Sequence, residues 1–204
     1  MIVFKMSPKR TPRHKISRRF GIDIYGTGGP SLQRRINVPP GGLRMKRGHE
    51  SDYARQLREK QKVKYLYGIR EKQFRRYFEM AQHAGGPTGR VLLELLERRL
   101  DNVVYRLGFS RTRPMARHLV STGHVRVNGK RVTIPSYLVR PGETVSLTPP
   151  TLEIPGLREE MEVRKPTVTW LNRSNGAGEM TAFPNRDEVY VEIDESLVVG
   201  FYSR

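Results

Sequence analysis

The sequence contains no cysteine, which excludes disulfides, thiol catalysis and every cysteine-containing zinc site. Its five histidines, at positions 14, 49, 83, 118 and 124, form no pair at helical spacing and no cluster with acidic residues. We therefore predict no metal and no cofactor. The chain also lacks a run of about 18 apolar residues, which a membrane-spanning helix needs, and apolar residues 1–4 are too few for a signal peptide. We expect no membrane partner.

Acidic residues are scarce relative to basic ones, with 20 Asp and Glu against 38 Lys and Arg, a net charge of +18. Such an excess repels itself in a compact state and calls for a polyanion, for which nucleic acid is the natural choice. Residues 1–90 carry 22 basic and 6 acidic side chains, whereas residues 151–204 carry 6 and 10. The first half is therefore predicted to face RNA, and the tail to face protein or solvent.

Residues 1–48 hold 12 cations and one acid, and glycines and prolines interrupt every potential helix or strand. Two interpretations stay open: a disordered solvated tail, or an arm that becomes ordered against RNA as its charge is neutralised. On the second interpretation, the candidate RNA contacts of this arm are Lys9, Arg10, Arg13, Lys15, Arg18, Arg19, Arg34, Arg35, Arg44, Lys46 and Arg47.

Two helices are predicted next, over residues 52–66 with Ser51 as N-cap and over about 69–83 with a core face of Phe74, Tyr77, Phe78 and Ala81. Few acidic residues alternate with the basic residues of these two helices. This pattern favours contact with phosphates over an ordinary solvent-exposed helix face. The candidate contacts here are Arg55, Arg58, Lys60, Lys62, Lys64, Lys72, Arg75 and Arg76. Tyr53 and Tyr67 are added as candidates for stacking on bases, with core packing left open.

Periodicity predicts one helix over 89–107, capped by Thr88, with an apolar stripe of Val91, Leu92, Leu95, Leu96, Leu100, Val103, Val104 and Leu107. Thr112 is predicted to cap a shorter helix that ends near residue 120. Alternation on both sides of Asn128-Gly129 indicates a β-hairpin. Further strands are expected at 143–148, 167–171 and 179–183, with a turn over 172–178. A helical turn at 157–163 and a last helix capped by Asp194 complete the prediction.

The short helix and the hairpin are both cationic, and residues 105–142 contain no Asp or Glu that could neutralise them locally. Residues 121–123 join the two elements, so we predict that they lie side by side as a basic platform for phosphates, which the planar guanidinium of Arg binds well. The candidate contacts of this region are Arg111, Arg113, Arg117, His118, His124, Arg126, Asn128, Lys130 and Arg131.

Four short motifs in this region resemble a known RNA-binding module, the one named for small ribosomal subunit protein four: Leu96-Glu97-x-Arg99-Leu100, Val104-Tyr105-Arg106, Ser110-x-Thr112 and Ala116-Arg117-x-Leu119-Val120. The module also occurs in some pseudouridine synthases, tyrosyl-tRNA synthetases and heat-shock ribosome binders. The flanks resemble the ribosomal protein itself, notably Arg34-Arg35-x-Asn37-x-Pro39-Pro40-Gly41, the segment 51–75 and the final Phe201-Tyr202-Ser203-Arg204.

The resemblance implies an α+β fold in three parts: an extended basic arm over 1–48, a helical domain over 49–90 completed by about 190–204, and an inserted RNA-binding domain over 91–189 with helices on a small, mostly antiparallel sheet. It implies the zinc-free branch of the family, since His14 to Ser17 stand where many bacterial members have cysteines.

The function that the resemblance implies is that of a structural constituent of the small ribosomal subunit. Such a protein is a primary binder of small-subunit rRNA that nucleates assembly. It contacts neighbouring ribosomal proteins and mRNA at the entry path, and it contributes to translational accuracy. The expected location is the ribosome of the cytoplasm, or of the plastid stroma if the source is an organelle.

The alternative from another functional class is an RNA-modifying enzyme. The sequence, however, shows no nucleophilic residue with a general base placed to activate it. Asp101 lies on a core helix and Asp23 in the Gly-rich arm, and neither has the setting of an active site. We therefore predict no catalytic residue. A free RNA-binding regulator, such as a messenger-binding repressor, stays open as a second role.

Overall fold

The computed structural model describes residues 12–26, 28–42, 50–174, 176–189 and 193–203. The chain divides into two compact units, residues 1–49 and residues 50–204. The predicted α+β class is confirmed, with helices and one five-stranded antiparallel sheet. Within the described ranges no helix is both long enough and apolar enough to cross a membrane.

The first unit contains two short helices, α1 (Arg13–Phe20) and α2 (Pro30–Gln33). The expectation that glycine and proline interrupt every element of this segment is therefore wrong for α1. The eight residues between Pro12 and Gly21 suffice for two turns, and Gly21, at φ +72°, ends the helix rather than preventing it. The buried apolar side chains of this unit are Ile16, Phe20, Ile24 and Leu32.

The second unit begins with the two predicted helices, α3 (Asp52–Leu66) and α4 (Glu71–His83). The Ser51 hydroxyl accepts a hydrogen bond from the Ala54 amide at 3.2 Å, which confirms the predicted N-cap. The predicted core face of α4 is buried throughout. The final helix α10 (Glu195–Tyr202), capped by Asp194 as predicted, packs against α3.

The predicted helix over 89–107 is two helices, α5 (Thr88–Glu97) and α6 (Leu100–Arg106). Between them the backbone pairs with a distant segment: Leu100 N donates to Tyr137 O at 2.8 Å, and Val139 N donates to Arg98 O at 2.9 Å. The apolar stripe continues across both helices, so its period could not reveal the break. The N-cap position of α5 belongs to Pro87, not to Thr88.

The rest of the second unit is helix α7 (Arg113–Ser121), a sheet in the order β2-β1-β3-β5-β4, and two short helices. The strands are β1 (Val125–Val127), β2 (Lys130–Arg131), β3 (Thr144–Leu147), β4 (Leu171–Ser174) and β5 (Ala177–Met180), and the helices are α8 (Pro149–Leu152) and α9 (Pro155–Val163). The Asn-Gly hairpin is confirmed, with positive φ at Asn128 (49°) and Gly129 (75°) as its turn requires.

The predicted strand at 167–171 and turn over 172–178 are wrong, because most of that turn is β4 and β5. Asn172, Arg173 and Ser174 are polar, and the antiparallel pairing with β5 makes them a strand. The valines and leucines of β1 and β3 share one core with α6 and α7, so the sheet and these helices hold each other in place.

Candidate RNA-binding surface

We define the basic platform as six basic residues on α7, just before it and on the β1–β2 hairpin: Arg111, Arg117, His118, Arg126, Lys130 and Arg131. All are exposed except Arg117, which is half-buried. The Thr112 hydroxyl accepts a hydrogen bond from Met115 N at 3.4 Å and confirms the predicted cap of α7. Arg131 joins the two elements, because its Nη2 donates to Thr122 O at 3.1 Å and its guanidinium lies against Gly123. Helix and hairpin thus lie side by side.

The charge of the platform is not neutralised by the part of the chain that the structure describes, where no carboxylate forms an ion pair with its cations. Val125 and Val127 point into the core, so Arg126 between them points outward, directly opposite Arg131 in the β1–β2 register. Like charges at opposed positions destabilise a sheet unless a counter-charge binds them. A polyanion such as RNA supplies that counter-charge.

The three candidates of this region that lie outside the platform make contacts within the protein. Arg113 is half-buried: its Nε donates to Asn102 Oδ1 at 2.8 Å, and its guanidinium lies 4.5 Å from the centre of the Tyr105 ring. A ring nitrogen of His124 is hydrogen-bonded to Thr151 Oγ1 at 2.8 Å. The Asn128 side-chain oxygen accepts from Thr144 N at 2.9 Å, which links the hairpin turn to β3.

Helix α3 offers fewer cations than its sequence indicates, because several bind carboxylates. Lys60 is 4% exposed, and its Nζ donates to Glu71 at 2.7 Å and lies 4.2 Å from the centre of the Phe201 ring. We therefore remove Lys60 from the candidate surface. Lys64 also binds Glu71, at 2.9 Å, and Lys62 binds Glu59 at 2.6 Å.

Burial tends to raise the pKa of Glu71, but hydrogen bonds from Lys60, Lys64 and Tyr202 outweigh it and lower that pKa to about 2. The carboxylate is thus held ionised by the two lysines, and its single negative charge compensates one of their two positive charges. Arg55 and Arg58 on α3 and Lys72, Arg75 and Arg76 on α4 remain exposed.

The two tyrosine candidates have opposite environments. Tyr53 is 51% exposed, with its ring centre 5.9 Å from that of Phe201, and so is available to a base. Tyr67 is buried, and its hydroxyl donates to Glu97 Oε1 at 2.6 Å, so we remove it from the candidate surface.

In the first unit, the candidates Arg13, Lys15, Arg19, Arg34 and Arg35 are exposed, and Arg18 is half-buried with its Nε donating to Val38 O at 2.8 Å. The remaining candidates of the arm, Lys9, Arg10, Arg44, Lys46 and Arg47, lie outside the described residues.

The sequence analysis did not anticipate a buried polar network centred on Glu97. The Glu97 carboxylate accepts hydrogen bonds from Tyr67, from Asn102 Nδ2 at 2.7 Å and from Arg106, whose Nε and Nη2 lie at 3.0 and 2.8 Å. Glu97 and Arg106 are only 1% and 2% exposed. Burial alone would raise the pKa of Glu97, but the Arg106 charge and these hydrogen bonds lower it. The pKa of Tyr67 rises well above its usual value, through burial and the adjacent carboxylate.

A second buried ion pair joins Arg99 to Asp101 at 2.6 Å, with Arg99 Nη1 donating to the Tyr77 hydroxyl at 2.9 Å. The signal for both clusters was present in the sequence, as charged residues inside an apolar stripe. Another unanticipated cation is Arg164, whose Nη1 donates to Arg111 O at 3.2 Å beside the basic platform. It lies in the acidic segment 151–204, for which the sequence analysis predicted no RNA contacts.

The chain matches two family models. Residues 9–97 match the ribosomal protein S4/S9 N-terminal domain, and residues 98–145 match the S4 domain. The two matches meet at the break between α5 and α6. Residues 50–204 form one compact unit, and the domain boundary that we predicted at residue 90 stays a prediction.

Curated relatives match along nearly the whole chain. Small ribosomal subunit protein uS4 of Roseiflexus sp. (strain RS-1) is 47% identical over 98% of this chain and 100% of that protein. The uS4 proteins of Brevibacillus brevis and Aquifex aeolicus are 44% and 45% identical, over 98% and 95% of this chain and 100% and 97% of their own lengths. With both domains matched in order and full-length relatives this similar, the chain belongs to the uS4 family of small-ribosomal-subunit proteins, as a structural and non-enzymatic member.

Proposed function

We propose that this structural constituent of the small ribosomal subunit is a primary binder of small-subunit rRNA that nucleates assembly, with the basic platform as a principal contact. The observation that carries the proposal is the opposed pair Arg126 and Arg131, exposed and without a carboxylate partner among the described residues. A protein that binds rRNA before its neighbours must hold the RNA by its own surface, and the platform supplies uncompensated charge for that purpose.

The contacts of the platform are made to phosphates rather than to base edges. Arg and Lys side chains dominate it, and a guanidinium fork matches two phosphate oxygens. The N-terminus of α7, beside Arg111, adds the positive end of the helix dipole. Phosphate contacts fix register and orientation without reading sequence, so RNA shape would select the site.

We also propose contacts with neighbouring ribosomal proteins and with mRNA at the entry path, through which the chain contributes to translational accuracy. Family membership supports this, and the exposed cations Lys72, Arg75 and Arg76 of α4 offer a second charged surface. The relatives named above are bacterial proteins, which favours the ribosome of a bacterial cytoplasm over that of a plastid. Photo-cross-linking from α4 on assembled subunits would identify the RNA or protein that it contacts.

The salt dependence of rRNA binding tests the phosphate contacts. Arg126→Ala and Lys130→Ala should each lower the slope of log affinity against log salt by about one, since each contact releases roughly one counterion. The matched control is Arg158→Ala on α9, whose side chain is also exposed but pairs with Glu162 at 3.4 Å. Unchanged slopes for both platform variants would remove the platform from the binding surface.

Co-sedimentation distinguishes a ribosomal constituent from a free RNA-binding regulator. The constituent should follow the small subunit through a high-salt gradient at near stoichiometric amount. A protein recovered only in the light fractions would contradict the ribosomal role and favour the regulator.

A further inference from the structure

The cations proposed to bind rRNA lie on two sets of helices that are distant in sequence. Arg55 and Arg76 belong to α3 and α4, whereas the basic platform is built from residues 111–131. RNA that contacts both sets needs them at a fixed relative orientation, since phosphates occupy fixed positions in a folded RNA. The structure therefore requires a rigid connection between α4 and α7.

That connection is the turn of Tyr67 and Gly68, which joins α3 to α4 and contacts the platform helix directly. Arg117 Nη1 on α7 donates to Gly68 O at 2.8 Å. The Arg113 guanidinium, also on α7, lies 5.5 Å from the centre of the Tyr67 ring on one side and 4.5 Å from that of Tyr105 on the other. Both contacts tie α7 to the turn.

The buried network around Glu97 holds this α3–α4 turn in place. The Tyr67 hydroxyl donates to Glu97 Oε1 at 2.6 Å, Asn102 donates to Oε2, and the Asn102 oxygen accepts from Arg113 at 2.8 Å. One continuous chain of hydrogen bonds thus runs from the α3–α4 turn through the end of α5 to α7. Because each partner fixes the next, the chain permits one arrangement of the helices.

Burial excludes these central groups from RNA contact, since Tyr67, Glu97 and Arg106 are at most 4% exposed. A buried ion pair is also a poor source of net stability, because desolvation offsets its attraction. Its better-supported role is to specify one geometry. The role that remains for the network is to fix the relative orientation of the helices that it joins.

We infer that Tyr67 and Glu97 are positioning residues, which set the orientation of α7 relative to α3 and α4 so that their cations form one RNA-binding surface. The inference rests on the proposed function. It predicts an effect that a phosphate-binding residue does not give. The rRNA affinity falls by the cost of orienting α7 on binding, while the bound complex keeps every phosphate contact and therefore the same salt slope.

The test compares Tyr67→Phe and Glu97→Gln with the control Tyr137→Phe, which also removes a hydroxyl that donates to a carboxylate, Glu143 Oε1 at 2.6 Å, but outside the network. The rRNA affinity of the first two variants should fall roughly tenfold, the equivalent of one hydrogen bond to a charged group. Their slope of log affinity against log salt should equal that of the unsubstituted protein. The control should bind normally. If Glu97→Gln does not fold, Tyr67→Phe carries the test, since it removes a single oxygen.

Orientation can be measured directly, because the chain has no native cysteine to interfere with labelling. Spin labels at Gln82→Cys on α4 and Ser121→Cys on α7, both exposed positions, should give one narrow distance distribution. Tyr67→Phe should broaden or shift it.

An unchanged distribution together with unchanged affinity overturns the positioning role, and so does a lowered salt slope for Tyr67→Phe. If instead Arg126→Ala and Lys130→Ala leave the slope unchanged, the proposed function fails rather than this inference, because the label distances do not depend on RNA.

Discussion

Replacing Arg106 by methionine provides the sharpest test of the buried network. Arg106 and Glu97 are both almost completely buried, and Arg106 supplies two of the four side-chain hydrogen bonds that the Glu97 carboxylate accepts. The Arg106→Met side chain fills similar space but leaves the Glu97 carboxylate with Tyr67 and Asn102 alone. The substitution thus leaves the buried negative charge of Glu97 without its ionic partner.

The expected cost follows from that stranded charge. Removing one partner of a buried ion pair destabilises a protein by about 3–5 kcal/mol, mostly because the remaining ion has lost its compensation. The double variant Glu97→Gln/Arg106→Met removes the charge as well and should recover much of the loss. Arg75→Ala is the matched control, because its pair with Glu79 is exposed and such pairs contribute about 0–1 kcal/mol.

The pH dependence of this cost has a definite sign. In the unsubstituted protein the pKa of Glu97 is lowered from 4.5, so its ion pair stabilises the fold above that pH and the stabilisation is lost as pH falls below it. In Arg106→Met, burial without the arginine raises the pKa of Glu97. Acid therefore protonates the Glu97 carboxylate and removes the unfavourable buried charge. The difference in stability between the two proteins should therefore shrink as pH falls through 4.5.

Urea denaturation followed by circular dichroism, at about pH 7 and at about pH 4, measures both the loss in free energy of unfolding and its pH dependence. A loss no larger than that of Arg75→Ala at neutral pH would refute the assignment of an uncompensated buried charge. A loss of equal size at both pH values would refute the account of its protonation.

Three further predictions concern packing and the arm. Leu57 on α3 is half-buried, so Leu57→Ala should cost about 2 kcal/mol, the low end for a core leucine, whereas Arg58→Ala should leave the melting temperature nearly unchanged and weaken rRNA binding. Gly178→Ala should destabilise the sheet by about 1–3 kcal/mol, because a Cβ on β5 would overlap the Leu107 side chain; thermal unfolding measures it, with exposed Gly156→Ala as control. Deleting residues 1–48 should leave the unfolding of the remainder nearly intact but weaken rRNA binding and flatten its salt slope; limited proteolysis that is equally slow with and without RNA would show an arm already folded alone.

The sequence by itself determined the features that depend on neighbouring residues. The caps Ser51 and Thr112, the apolar face of α4 and the Asn128-Gly129 turn are each encoded within a few positions, and all occur as predicted. The family follows from short motifs of the same kind. Net charge likewise required no fold, because it is a sum over the chain.

Only the tertiary structure decided which elements break, which strands pair and which cations remain available. The break after α5 exists because residues 137–139 pair with it, and β4 is a strand because β5 lies beside it. Lys60 and Arg106 are as basic as Lys130 in the sequence, yet each is buried and pairs with a carboxylate 11 or 9 residues away. Charge is a property of composition, but its compensation depends on long-range proximity, and only folding creates that.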